Sequence, residues 1–156
     1  MESAIYTLPE PFCGSVRIEC SDGRLLRLEL LTSDALGVAY ESTESTDSIY
    51  KKILEYLNGA RCCFDIEVDL SGCTPFQRKV LAELQRIPYG QTRSYKDIAV
   101  VIGNPNAARA VGLACNRNPI HIVIPCHRVV GAQGKLVGYA AGISTKQRLL
   151  QLERSV

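Results

Sequence analysis

The chain is poor in histidine, with two in 156 residues, and none of its cysteines are spaced C-x-x-C. Zinc sites draw on spaced Cys and His pairs, so the common zinc frameworks are not expected. No apolar run approaches the roughly 18–20 residues of a membrane span. The opening "MESAIYTLPEPF" lacks a basic region followed by an apolar one, so no secretory leader is expected. The expectation is a cytoplasmic protein, or a nuclear one in a eukaryote, with no membrane partner. There is no internal repeat. Acids are scarce in one half: residues 76–156 hold three, Glu83, Asp97 and Glu153.

The remaining composition is that of a folded protein, 46% hydrophobic and 22% charged, long enough for one domain or two small ones sharing a core. Seven cysteines is many for this length, and without a leader they are expected to be reduced thiols. The net charge of +2 hides an asymmetry. Residues 1–75 carry 6 Lys/Arg against 13 Asp/Glu, and residues 76–156 carry 12 against 3, giving −7 and +9. An acidic module joined to a basic one suits a polyanionic partner for the basic half; a solvated basic face is the plainer reading.

In the acidic half, "VRIEC" (16–20) and "RLLRLELL" (24–31) flank the turn "SDG" and predict a hairpin. "ESTESTDS" (41–48) reads as a loop. Ile49, Ile53 and Leu57 lie at helical spacing before Gly59, and "FDIEV" (64–68) alternates like a third strand. No catalytic motif appears there. Cys13, Cys20, Cys62 and Cys63 allow a structural cluster, but their spacing is not diagnostic, and core packing is the expected role of Cys20 and Cys115.

"LSGCTPFQRKVLAELQRIPYG" marks the boundary between a domain over 1–72 and one over 73–156. Thr74, Pro75 and Gln77 make a capping box with proline at the first helical position, and Phe76, Val80, Leu81, Leu84 and Ile87 form one apolar face. Ser94 and Asp97 form a second capping box. A helix then ends at Gly103, and a further one runs from about Ala107 to Cys115. Two short helices around a tight link predict a helix-turn-helix in an α+β protein. The second helix opens with Ala107, Ala108, Arg109, Ala110 and Gly112. Small residues let a helix approach a duplex closely, though they also permit tight core packing.

Ile120, Ile122 and Ile124 alternate as a strand that Pro125 stops. This places Cys126 and His127 half-buried at its end, with a turn over Gly131–Gly134 and a last helix capped at Ser144 or Thr145. That helix is expected to turn Leu149, Leu150 and Leu152 inward, and His121 is expected to be structural. A thiolate is the nucleophile, and a neighbouring imidazole can take the thiol proton directly or through a water. A carboxylate would orient the ring. Asp97 is assigned to a cap and Glu83 lies opposite its helix's apolar face, so Glu153 remains, with a structural salt bridge as its other possible role.

With these pieces placed, the chain resembles the O6-alkylguanine-DNA alkyltransferases, the methylated-DNA–protein-cysteine methyltransferases. The resemblance runs from about Thr74 to Glu153 through "PYGQTRSYKDIA", "NPNAARAVG", "NRNPIHIVIPCHRVVG" and "GYAAG…K..LL..E". It implies a ribonuclease H-like N-terminal domain and a helix-turn-helix that docks in the minor groove. It implies that Cys126 accepts the alkyl group irreversibly, that His127 deprotonates it through water, and that Glu153 orients His127. Asn118 would brace the turn, and Tyr95 would donate to the guanine leaving group. Arg109 would fill the space of the flipped nucleotide, with Ala107, Ala108 and Arg128 also at the DNA. Val129, Tyr139 and Ala140 would form the base pocket. The implied partner is double-stranded DNA bearing O6-alkylguanine, acted on once per molecule by a monomer with no cofactor and no metal. One departure stands out: Ala141 replaces a glycine of many relatives, which is expected to narrow the pocket. A recognition module and a cysteine hydrolase are the rival readings.

Overall fold

The structure is a computed structural model that describes residues 1–12, 14–31 and 41–154. It divides into two compact units, Met1–Asp69 with Pro119–His121, and Leu70–Asn118 with Ile122–Val156. Among the described residues no helix is long and apolar enough to cross a membrane.

The first unit is a three-stranded antiparallel sheet with one helix. Strands β1 (Glu2–Thr7), β2 (Ser15–Ser21) and β3 (Arg24–Leu31) lie in chain order. The predicted β2–β3 hairpin is present. Its turn residues Asp22 and Gly23 have φ of 50° and 76°, the left-handed pair that a two-residue hairpin requires. Val16 pairs with Leu30 and Ile18 with Leu28, and all four are buried. A bulge at Glu19/Cys20 then shifts the register, so that Leu25 rather than Leu26 is buried beside Cys20. Helix α1 (Glu44–Leu57) buries Ile49, Ile53, Tyr56 and Leu57.

Two expectations for this unit are corrected. Residues 41–48 are not all loop. Thr43 caps α1 through a reciprocal box with Thr46, a hydroxyl taking the place of the usual Glu or Gln. Residues 64–68 do not form a strand, because only Val68 bridges Leu25. The third strand is instead β1, whose weak pattern, with Ala4 alone buried, carries little periodic signal. Cys20 is buried in the core, as expected, and Cys62 and Cys63, which the spacing also allowed to cluster, are exposed free thiols. Cys13 lies outside the described residues.

In the second unit, α2 (Pro75–Leu84), α3 (Tyr95–Val101) and α4 (Ala108–Asn116) pack on one another. Both predicted capping boxes form, Thr74 with Gln77 and Ser94 with Asp97. The backbone N–H of Ser94 donates to Asp97 at 2.9 Å and holds that carboxyl below its ordinary pKa. Strand β4 (Arg93–Ser94) pairs in parallel with β5 (Val129–Val130), and α5 (Ile143–Arg154) packs on the turn before β5. Helix α5 starts at Ile143, ahead of the expected caps. Leu149 and Leu150 are buried, and Leu152 is half-buried.

The stretch 120–124 is not a strand. Ile120 makes a single bridge to Leu28, and Ile122 then turns with φ of 68°. A β-branched residue in the left-handed region costs about 1–3 kcal/mol and persists only where its surroundings enforce it. Here the enforcement is burial, with Ile120, Ile122 and Ile124 all at 1% exposure or less. The alternation reflected three inward-facing turn residues. His121 is structural as expected: its Nδ1 accepts from the backbone N–H of Leu30 at 3.2 Å.

Candidate active site and nucleic-acid interface

Cys126 opens a single 3-10 turn, Cys126–Arg128, which follows Pro125 and leads into β5. The thiol is buried rather than half-buried. Burial pushes its pKa up to about 11, against a hydrogen bond from Asn118 and the charge of Lys146, which pull it down. The resting nucleophile is therefore a protonated thiol. Asn118 also donates from Nδ2 to the carbonyl of Ile124 at 3.0 Å, so one amide fixes both the turn and the sulfur.

Behind the thiol lies a buried polar cluster. His127 Nε2 sits 2.7 Å from Glu153 Oε2, and both side chains are fully buried. Burial holds the imidazole below its ordinary pKa, opposed by Glu153, so at neutral pH it is the unprotonated base. Arg128 grips the same carboxylate with Nε at 2.8 Å and Nη2 at 3.0 Å, and donates from Nη1 to the carbonyl of Ile87 at 2.7 Å. The backbone N–H of Gly90 adds a donor at 3.3 Å. Gly90 has φ of 79°, and a side chain there would meet the Glu153 carbonyl at 3.3 Å, so "PYG" ends in glycine for two reasons.

Arg128 corrects an expectation. Anticipated at the DNA, it is 7% exposed with its guanidinium committed to Glu153 and Ile87. A buried carboxylate needs a paired cation, and Arg128 supplies it.

In front of the thiol opens a cavity of about 350 Å³. Of the residues predicted for the site, Cys126, Tyr95, Ala108, Arg109 and Tyr139 line it. Ala107, Val129 and Ala140 are not among its lining residues; Val129 is buried in β5, and Ala140 is exposed. Ala141 is buried and also outside the lining. Sequence reasoning missed Gly112, Cys115, Asn116, Val137 and Gly138 on the cavity wall. Cys115, pushed up to about 12 by burial, interacts electrostatically with Cys126.

Lys146 is the other omission. It is fully buried, with Nζ 3.2 Å from the carbonyl of Gly138, 3.4 Å from Tyr95 Oη and 5.6 Å from that ring's centroid. Burial lowers its pKa, and the two thiols pull it back up. It stood within "GYAAG…K..LL..E", and a lysine at helical spacing with Leu149, Leu150 and Glu153 was the available signal. The Tyr95 hydroxyl, raised to about 12 mainly by burial, donates to the carbonyl of Val137 at 2.8 Å.

A thiol on a cavity wall, a carboxylate-held imidazole behind it and a helix of small residues with one exposed arginine beside it make up a candidate site for thiol chemistry. Residues 75–155 match the family model for the DNA-binding domain of 6-O-methylguanine DNA methyltransferase, and the chain belongs to this family. It is 62% identical over 99 residues to the methylated-DNA–protein-cysteine methyltransferase of Mycolicibacterium paratuberculosis, covering 64% of this chain and 59% of that protein. The corresponding protein of Methanosarcina acetivorans is 50% identical over 115 residues, 74% and 73% of the two chains. In structure, the chain resembles Mycobacterium tuberculosis OGT crystallised in complex with DNA, with a TM-score of 0.85 and 42% identity over 97% of this chain and 92% of that one.

Proposed function

We propose that this chain repairs O6-alkylguanine, chiefly O6-methylguanine, in double-stranded DNA by moving the alkyl group to its own Cys126. The observation that carries this reading is the cavity with Cys126 on its wall, backed by the buried His127–Glu153 pair at 2.7 Å.

In the proposed step, His127 takes the Cys126 proton through a water while Glu153 holds its Nε2. Sγ attacks the alkyl carbon, an S–C bond forms, and the C–O6 bond breaks. The electron pair leaves on guanine, which is neutralised by a proton from Tyr95. An alkylated base within the stack cannot present its carbon to the thiolate, so it must be flipped out, at a cost of roughly a few kcal/mol. Arg109, on α4 and lining the cavity, fills the vacated place. Ala107 and Ala108 let the helix approach, and the backbone of Cys126, on the cavity wall, meets the guanine edge. Lys146 lowers the cost of thiolate formation. The thioether product is stable, so each molecule reacts once, without a cofactor.

The same reading takes α3 and α4 as a helix-turn-helix in the minor groove, the acidic half (1–72) as a ribonuclease H-like domain, and the basic half (73–156) as the working one. It makes the protein a cytoplasmic monomer. The capping box of α3 and the small residues of α4 support it.

The test is incubation with a duplex containing O6-methylguanine, followed by the mass of the Cys126 peptide. One added methyl per molecule is expected. Binding without a mass change would make it a recognition module, and repeated ester or amide cleavage would make it a hydrolase.

A further inference from the structure

We infer that Leu113 is a second DNA wedge: α4 presses it, together with Phe76, against the deoxyribose wall of the minor groove, outside the cavity that takes the flipped base. This rests on the reading of α4 as the DNA-facing helix.

The observation is the composition of one helical ridge. Arg109, Leu113 and Arg117 follow one another at intervals of four, so their side chains share a face. All three are exposed, Leu113 by 51%, while Val111, Ala114 and Cys115 point into the core. The rest of the ridge is small, amide-bearing or cationic, and α4 contains no acid. Leu113, at its middle, is the one large apolar side chain of α4 that is half exposed.

Beside Leu113 lies an open notch of about 190 Å³, walled by Phe76, Ala110, Leu113 and Ala114 with Arg117 at the rim. It shares no residue with the Cys126 cavity. Thr74 and Gln77 also border it, and the Thr74 hydroxyl and Gln77 side-chain oxygen accept the bonds of the α2 cap, at 3.1 and 2.9 Å. The notch therefore offers apolar contact, one cation and the Gln77 side-chain amide, with no acid among its lining residues. A duplex minor groove presents the complement, sugar walls with phosphates along the rim. At 1.5 Å per residue the ridge from Arg109 to Arg117 is about 12 Å long. A helix about 10–12 Å wide does not enter a groove about 6 Å wide unless the groove opens, and inserted apolar side chains are a recurring means of opening it. Charge also favours DNA. Of the three acids in residues 76–156, Asp97 caps α3 and Glu153 is buried.

An apolar wedge releases no counterions, and salt dependence separates it from a phosphate contact. The experiment measures binding of the whole protein to undamaged and O6-methylguanine duplexes by fluorescence anisotropy, from about 50 to 200 mM salt. Leu113→Ser is expected to weaken binding roughly tenfold at every salt concentration with an unchanged slope of log K against log salt. Arg117→Ala is expected to lower that slope by about one. Reaction of Cys126 with free O6-methylguanine base, which needs no groove, should stay at the wild-type rate in Leu113→Ser. Leu113 is half exposed, and an unchanged thermal midpoint would show that its replacement leaves the fold intact; Leu113→Phe, which keeps an apolar wedge, should retain binding. Undiminished affinity in Leu113→Ser alongside weakened binding in Arg109→Ala would overturn the wedge alone. Undiminished affinity in both would overturn the DNA-facing reading of α4 as well. A change in sedimentation with DNA affinity intact would make the ridge a contact between copies and refute the wedge.

Discussion

His127 Nε2 and Glu153 Oε2 lie 2.7 Å apart with both side chains excluded from solvent, and Arg128 closes on the same carboxylate from its other side. Glu153 thus does two things at once. It fixes the His127 ring, and it neutralises a buried guanidinium. Removing one partner of a buried pair costs about 3–5 kcal/mol, because the other is left uncompensated. Glu153→Ala should therefore lower the thermal midpoint by roughly 10 °C, read by calorimetry. Glu153→Gln keeps the shape, still leaves Arg128 without its counter-charge, and should also slow methyl transfer at a temperature where it stays folded. An unchanged midpoint in both variants would show that the cluster does not hold the fold.

The pH dependence of stability follows from His127. Its unfolded pKa is near 6.5, and in the folded chain burial holds it lower. Between the two values the unfolded chain binds the extra proton, so stability rises with pH there. The contribution is complete above about 6.5 and is lost as pH falls through the folded value. Urea midpoints should drop as pH falls below about 6.5, and His127→Gln should flatten that part of the curve. An equally steep curve in the variant would assign the effect elsewhere.

Cys126 should behave oppositely toward simple electrophiles. With its thiol raised to about 11 by burial, iodoacetamide should label exposed Cys62 and Cys63 first, and labelling of Cys126 should keep rising through pH 10. In the proposed transfer from DNA, His127 removes the proton, so that reaction should not share the profile. Lys146→Met removes the buried cation that favours the thiolate, so transfer should slow by about tenfold or more, while burial of the uncharged side chain leaves stability unchanged or raised. Single-turnover kinetics and thermal melts on the same sample separate the two effects.

What could be read from sequence divides by range. The caps at Thr74 and Ser94 need only neighbours three residues apart, and both were legible. Thr43 uses the same geometry with a hydroxyl at the third position, which the usual pattern does not include. Glu153 was reachable by elimination because the basic half has so few acids. The burial of Arg128 was not, since it depends on a carboxylate 25 residues away. Ile120 to Ile124 show the same limit: alternation records which residues face inward, and a buried turn with one left-handed residue produces the same pattern as a strand.

Tyr95 carries the sharpest test of the chemistry. Its hydroxyl donates to the carbonyl of Val137 at 2.8 Å and accepts from Lys146 at 3.4 Å, so donating to guanine requires it to exchange one acceptor for another. Val137 is about half exposed and lines the cavity, and an incoming base that displaces its carbonyl would free the proton. Tyr95→Phe keeps the ring against Gly112, where a methyl would sit 3.8 Å away, but removes the donor. Losing a donor aimed at developing charge typically costs about 10²–10³ in rate. The expected result is a transfer rate lower by about that factor on O6-methylguanine duplexes, with binding to the same duplexes within about twofold of wild type. A rate equal to wild type would show that the leaving guanine takes its proton from another group, and a matching loss of binding would mean the hydroxyl serves recognition instead of the chemical step.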